Sequence, residues 1–304
     1  MALWEPVMPL SRAAGRDPIF CQDGADMEGE TALMVHADDF GKSSAVNQGV
    51  LCAFQAGVVT ATAIMANGGA ADEASQLARA HPSLAVGLHI NLTEGRPLRP
   101  PARVHSLVDH HGFFRHKNAF FSRCLAGMVQ GYQVRDEILA QIEWAMARGL
   151  KPGHVNAHHH IHVLPVVAEA IAETAGQGGI RWVRTISAPI WRGPLPAGII
   201  PVTQQLFLHR LSRRAQRDWT AMSTVDHFWG FEFARAADRV KMLRSILESL
   251  GPGRHELMCH PARHPQNSGA AGEAECAALC HAETRAILQS GKIRLFAPPA
   301  GGGA

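Results

Sequence analysis

The sequence predicts an α/β fold, a (β/α) barrel of about seven strands that is distorted or incompletely closed. Two observations point there. Short apolar strand patterns alternate with helical periodicity from Thr31 to Phe296. Acidic and imidazole residues then gather at the expected C-terminal ends of those strands, the rim where parallel α/β folds place their sites. Composition is compatible: 304 residues, 46% hydrophobic and 18% charged, describe a globular chain. A net charge of +3 gives no electrostatic footprint for nucleic acid.

Residues 1–30 mix charge, Pro and Gly without period and read as a poorly ordered extension or a start placed too early. Thr31–His36 is a strand ending in Ala37-Asp38-Asp39-Phe40-Gly41. Ser43 or Ser44 suits the N-cap of a helix running to about Gln55. Thr60–Met65 is a second strand, Ala70–Ala80 a helix and Leu84–Leu92 a third strand that includes His89. Residues 95–130 read as loop-rich. Val134–Arg148 is a helix with Ile138, Ile142, Ala145 and Met146 along one face. His154–His158 is a strand, Pro165–Ala175 a helix and Ile180–Thr185 a strand. The stretch 187–231 reads as an irregular insertion on the substrate side; its Trp191, Trp219 and Trp229 suit a sugar-stacking platform or, more simply, a core. A helix over Phe233–Leu250, a strand over Glu256–Cys259, a helix over Gly272–Gln289 and a strand over Ile293–Phe296 complete the domain. Residues 299–304 are a Gly-rich tail. Neither GxGxxG after a strand nor GxxxxGK(S/T) occurs, which argues against dinucleotide and P-loop chemistry.

The six cysteines form no CxxC pair and read as thiols of a reducing compartment, the cytoplasm. Cys276 and Cys280 stand four apart on an expected helix, a spacing open to a zinc pair, with plain packing the simpler reading. The uncharged run Ser43–Ala71 is broken by Asn47, Gln48, Gln55 and Asn67 and is too polar for a membrane span.

Taken singly, the polar residues are bland. An Asp-Asp pair is commonly a turn or cap, and a lone strand His is commonly a hydrogen-bonded core residue. Together, Asp38-Asp39, His89, the tract His154, His158, His159, His160 and His162, and His260 bring acids and imidazoles from four elements to one rim. A carboxylate with two imidazoles suits a divalent cation. A second carboxylate suits a general base, and a further His a proton donor, which together are the parts of metal-assisted amide hydrolysis. Another barrel metallohydrolase, such as an amidohydrolase or phosphoesterase, and a non-catalytic metal- or sugar-binding protein are the competing readings.

Four segments in order resemble the YdjC-like carbohydrate deacetylases. Val35–Gly41 (VHADDFG) resembles the family's NADDFG opening, and Val86–Leu98 (VGLHINLTEGRPL) its GLHLNLTxGRPL segment. His154–His162 (HVNAHHHIH) resembles HxDSHxHxH, and Met258–Pro261 is MCHP. The resemblance spans about residues 31–298. It implies a barrel related to that of the polysaccharide deacetylases and removal of an N-acetyl group from an amino sugar. It also implies Asp39, His89 and His158 as metal ligands, Asp38 as general base and His260 as proton donor or oxyanion stabiliser, with Arg184 orienting Asp38 or binding substrate. The implied metal is magnesium, whereas two imidazoles favour zinc or another transition metal. His36 departs from the family's usual Asn, and Asn156-Ala157 from its Asp-Ser. HVNAH resembles the hopanoid-biosynthesis branch and NLTEGRPL the oligosaccharide branch, so the implied substrate is a chitooligosaccharide or a glycolipid-linked amino sugar. The expected partners are that N-acetylated sugar and, in a homodimer, a second copy, with no nucleic acid and no membrane insertion.

Overall fold

A computed structural model of the chain describes residues 19–20, 29–186, 199–263 and 269–302. Trp191 and most of the N-terminal extension lie outside these residues. In chain order the elements are β1 (Ile19–Phe20), β2 (Thr31–Phe40), α1 (Ser44–Gln55), β3 (Ala61–Ile64), α2 (Ala71–Ala80) and β4 (Ala85–Ile90). Then follow α3 (Lys117–Leu125), α4 (Gly131–Ala147), β5 (His154–Ala157), α5 (Pro165–Thr174), β6 (Trp182–Val183) and α6 (Ile199–Ala215). The last are β7 (His227–Trp229), α7 (Phe231–Arg235), α8 (Arg239–Ser249), β8 (Gly253–Cys259), α9 (Gly269–Leu279), α10 (Ala282–Gln289) and β9 (Arg294–Ala297).

Every strand pairing is parallel. The sheet runs β6-β5-β4-β3-β2-β8-β7, with β9 on the first residues of β2 and β1 outside β9. One parallel bridge, Trp182 to Ser223, joins β6 to the segment leading into β7. Among the described residues the seven-stranded curl is therefore closed through a single bridge, the incompletely closed (β/α) barrel that the alternation predicts.

Side chains alternate across a strand, and this period sorts the barrel. On β2, Leu33, Val35 and Ala37 join the core formed with the surrounding helices. Ala32 and Met34 belong to a separate apolar cluster with Ala61, Ala85, Trp182 and Phe296. Continuing the second face upward gives His36 and Asp38. On β5 and the residue after it the same period separates Val155 and Ala157, in the outer core, from His154, Asn156 and His158. The interior thus has an apolar floor at the strand N-terminal end and a polar column above it.

The turn after β2 is fixed locally. Ser43 caps α1 by accepting from the Val46 N–H, and Asn47 Oδ1 accepts from Gly41 N at 2.7 Å. Gly41 has φ +93, and a Cβ there would sit 3.1 Å from Ala71 Cα, so glycine closes this turn.

Several elements differ from expectation. The stretch 95–130 contains α3, and the supposed irregular insertion contains α6 and β7. The helix expected over Phe233–Leu250 divides before Asp238, whose carboxylate caps α8 by accepting from Lys241 N at 3.0 Å. The helix expected over Gly272–Gln289 divides where His281 caps α10. In each case a side chain that satisfies free helix N–H groups starts a new helix.

Gly49 on α1 packs against the chain following β8, where a Cβ would lie 2.5 Å from the Pro261 carbonyl carbon and from Ala262 Cα. Helix propensity alone favours Ala over Gly by roughly 1 kcal/mol. Backbone crowding outweighs it, so Gly49→Ala should lose about 1–3 kcal/mol in urea unfolding, while Gln48→Ala on the exposed face stays within about 0.5 kcal/mol. A stabilised Gly49→Ala would contradict this packing.

Candidate active site

The polar rim begins with a backbone irregularity. The β2–β3 register shifts between Ala37 and Phe40, and Asp39 has φ +64. This bulge turns Asp39 out of the strict alternation, so two neighbouring carboxylates serve one rim. Asp tolerates the left-handed region better than most residues.

Asp38 lies in the barrel at 2% exposure. Its Oδ1 accepts from Asn156 Nδ2 at 2.9 Å and Arg184 Nη2 at 2.7 Å, and its Oδ2 from Arg184 Nη1 at 2.6 Å. His36 Nδ1 lies 2.9 Å from Oδ1, and His36 Nε2 lies 2.9 Å from His154 Nε2. Burial lowers the His154 pKa well below its usual value, so that ring is neutral. The protonation that suits the chain has His154 donating to His36 and His36 donating to Asp38. Burial alone would raise the Asp38 pKa, but the Arg184 charge and the hydrogen bonds from His36 and Arg184 hold it well below the usual range. Arg184 also donates from Nε to Glu256 Oε1 at 2.7 Å, so one buried guanidinium bridges two buried carboxylates.

Asp39 faces two imidazoles. Its Oδ1 lies 3.0 Å from His89 Nε2 and 2.8 Å from His158 Nδ1. Each ring is oriented from behind. His89 Nδ1 donates to Asn156 Oδ1 at 2.6 Å, and His158 Nε2 lies 3.0 Å from Glu94 Oε2. Lys42 Nζ reaches the same Glu94 oxygen at 3.0 Å. Burial disfavours charge on His158, but Asp39 and Glu94 push its pKa up to about 9. Glu94 is pulled down to about 2, first by His158 and also by Lys42.

These residues fit a cation on two grounds. Asp39, His89 and His158 offer ligand atoms within 4.8 Å of one another. Asp39 Oδ1 and His89 Nε2 are buried without a hydrogen-bond partner although they lie close together. One carboxylate and two imidazoles form a donor set for a divalent ion, and the outer hydrogen bonds from Asn156 and Glu94 fix the rings as second partners of ligating histidines do.

A cavity of about 470 Å³ opens beside His89 and His158 of the trio. Asp38, His89, His158 and His260 line it, with Phe121, Phe207 and Phe231 forming an apolar wall. His260 Nε2 is 4.0 Å from Asp38 Oδ2, and its side chain is 38% exposed. Glu275 Oε2 accepts from the His260 N–H at 2.6 Å and fixes that residue's backbone.

Of the six residues singled out from sequence, Asp38, His89, His158 and His260 line the cavity, Asp39 meets the His89 and His158 rings, and Arg184 lies behind Asp38, off the cavity wall. Its burial and its bonds to Asp38 suit it to orienting that carboxylate. Within the histidine tract only His158 joins the trio. His159 Nδ1 meets Thr93 Oγ1 at 3.0 Å, and His162 stacks on Trp219. Burial lowers both pKa values to about 3. Trp219 is buried and donates to the Ala168 carbonyl, and Trp229 donates to His255, so these two indoles are packing residues away from the cavity. The sequence reading assigned no role to Asn156, Glu94, Lys42, Glu256 or Glu275. Asn156 is signalled by strand alternation, two residues from both His154 and His158, and Glu94 by its place inside the NLTEGRPL run.

Fold and rim together define an α/β barrel protein with its site on the C-terminal face of a parallel sheet. The chain belongs to the YdjC-like protein family, whose profile matches residues 32–290. A mouse carbohydrate deacetylase is 35% identical over 264 residues, covering 82% of this chain and 84% of the relative. A Geobacillus stearothermophilus carbohydrate deacetylase is 36% identical, covering 75% and 78%. A Serratia marcescens chitooligosaccharide deacetylase is 33% identical, covering 65% and 81%. A crystal structure from Enterococcus faecalis V583, of a protein named for a proposed cellobiose-phosphate cleavage, superposes with TM-score 0.67 at 27% identity, covering 88% of this chain and 97% of that one.

Removing the guanidinium would strand two buried acids. Arg184→Met should cost about 3–5 kcal/mol in denaturant unfolding. Adding Glu256→Gln should restore part of that loss. A single variant as stable as wild type would show that the Asp38–Arg184–Glu256 array does not hold the barrel top together.

Proposed function

We propose that the protein hydrolyses the N-acetyl group of an acetylated amino sugar carried on a chitooligosaccharide or a glycolipid. The observation that carries the reading is the convergence of Asp39, His89 and His158 beside a second, separately clamped carboxylate, Asp38, with His89, His158 and Asp38 lining one cavity. The deacetylase names of the relatives support it from a different direction.

Asp39, His89 and His158 would hold one divalent cation, which when bound supplies polarisation of the acetamide carbonyl and acidification of water. Family resemblance favours magnesium, and the imidazole donors favour zinc or another transition metal. Asp38 acts as general base. Oδ1 is engaged by His36, Asn156 and Arg184 Nη2, while Oδ2 accepts from Arg184 Nη1 at 2.6 Å and is the oxygen that faces His260, across 4.0 Å. Arg184 keeps the carboxylate ionised and in place, so Oδ2 takes the proton of the attacking water. His260, more open to solvent than Asp38, delivers a proton to the departing amine. Asn156 bridges base and ligand: its Nδ2 holds Asp38 and its Oδ1 holds the His89 ring. Glu94 sets the His158 ring so that Nδ1 points toward Asp39.

The cytoplasm is the proposed compartment, supported by free thiols at Cys52, Cys124, Cys259, Cys276 and Cys280 among the described residues. No helix among those residues is long and apolar enough to cross a membrane.

Acetate release from a panel of N-acetylated sugars, chitobiose-type oligosaccharides and glycolipids included, tests the reaction. Release should stop on chelation and return with divalent cation. Asp38→Asn should lower turnover on the order of 10²–10⁴-fold with metal content unchanged. Near-full activity in that variant would remove Asp38 from the role of base, and chelator-resistant turnover would remove the metal.

A further inference from the structure

Outside the cavity, a second cluster of ligand-type side chains is gathered at the contact of α1 and α9. Cys52 comes from α1, Cys276 from α9, and Cys280 follows α9 immediately. The three sulfurs lie within 4.8 Å of one another, with Cys52 Sγ and Cys280 Sγ 3.7 Å apart. No residue of this group lines the active-site cavity. Cys276 and Cys280 are separated by one helical turn, so both can face α1.

A metal–sulfur bond of about 2.3 Å sets the sulfurs roughly 3.8–4.0 Å apart in tetrahedral or trigonal geometry. The Cys52–Cys280 spacing is already close to that. Two of the thiols are buried, Cys52 at 8% and Cys276 at 6% exposure, and Cys280 is the more open one. Arg263 places Nη1 3.6 Å from Cys52 Sγ and is anchored by its backbone N–H on the Ala45 carbonyl at 2.8 Å. A guanidinium stabilises a thiolate far more than a thiol. The Cys52 pKa is drawn down to about 3, first by thiol donation from Cys276 and Cys280 and then, against burial, by Arg263. Simple packing accounts for three small side chains, but not for a cation directed at one of their sulfurs.

We propose that Cys52, Cys276 and Cys280 form a structural site for one thiophilic cation of the zinc(II) or copper(I) class. Soft thiolate donors select such ions. On binding, Cys276 and Cys280 release their protons to solvent. For a divalent ion, three thiolates leave one net negative charge, and Arg263 balances it. The clip ties α1 to α9 and backs the chain after β8. Gly49 O lies 3.9 Å from Cys276 Sγ, Gly49 packs on Pro261 and Ala262, and Glu275, next to Cys276, holds the His260 backbone. The clip therefore stabilises the fold without joining the chemistry.

The test uses reduced, chelator-treated full-length protein titrated with cadmium(II) alone. Sulfur-to-cadmium charge transfer in the near ultraviolet reports thiolate ligation only, so binding at Asp39, His89 and His158 is silent. One band-forming equivalent is expected in wild type, together with protection of Cys52, Cys276 and Cys280 from alkylation and a raised melting temperature. Cys276→Ser, with Cys276→Ala and Cys52→Ser as second variants checked for folding by circular dichroism, should lose the band and the thermal shift while keeping wild-type acetate release. Absence of a band in fully reduced wild type would overturn the site, as would a band that persists in all three variants. A preparation in which Cys52 and Cys280 form a disulfide readily but whose reduced form takes no cation would identify a redox pair and equally overturn it.

Discussion

The top of the barrel depends on the bulge that closes β2. Up to Ala37 the strand keeps continuous register with β8, and Asp38 follows the alternation into the interior beside His36. With regular geometry the next side chain would face the helical layer, as Val35 and Ala37 do. The register shift against β3 and the left-handed Asp39 redirect it to His89 and His158 instead. A left-handed non-glycine residue costs on the order of 1–3 kcal/mol, and it persists where surrounding bonds over-determine the backbone. Here the Lys42 N–H bonds the Asp39 carbonyl at 2.9 Å, Met65 N bonds the Phe40 carbonyl at 2.7 Å and Asn47 holds Gly41.

The bulge divides two neighbouring carboxylates between two kinds of partner. Asp38 is paired with a guanidinium that stays charged at any working pH, and that guanidinium is itself held by Glu256. Asp39 is paired with imidazoles, which can give up protons and present lone pairs. One carboxylate is thereby held ionised at rest, and the other sits in a donor set that a cation can enter. Asn156 couples the halves, so the orientation of His89 is tied to that of Asp38.

Much of this was legible in the sequence because strand ends concentrate unusual chemistry. Asp38-Asp39, His89, His158 and His260 stand out as polar residues terminating apolar runs, and parallel topology carries such ends to one face. What remained hidden depends on tertiary context. The α6 pattern is blurred because Leu206 and Phe207 are exposed at 46% and 41%, while Gln205 and Ser212 are buried. Phe207 lines the cavity, and Ser212 Oγ receives the Ile186 N–H at 2.8 Å, so these placements follow from the site and from loop bonding rather than helix periodicity. Asn156, Glu94 and Glu256 act through rings or guanidinium groups far away in sequence, and only folding shows which partner each one meets. The histidine tract shows the opposite effect. Five imidazoles suggested ligands, yet the left-handed backbone at His159 and His160 sends successive rings to different surroundings, and only His158 meets Asp39.

Anomalous diffraction at the zinc edge from zinc-soaked crystals tests the central claim most directly. The arrangement requires a peak bonded to Asp39 Oδ1, His89 Nε2 and His158 Nδ1 at about 2.0–2.2 Å. A cavity without that peak, or a cation held by other groups while these three side chains turn away from one another, would contradict it.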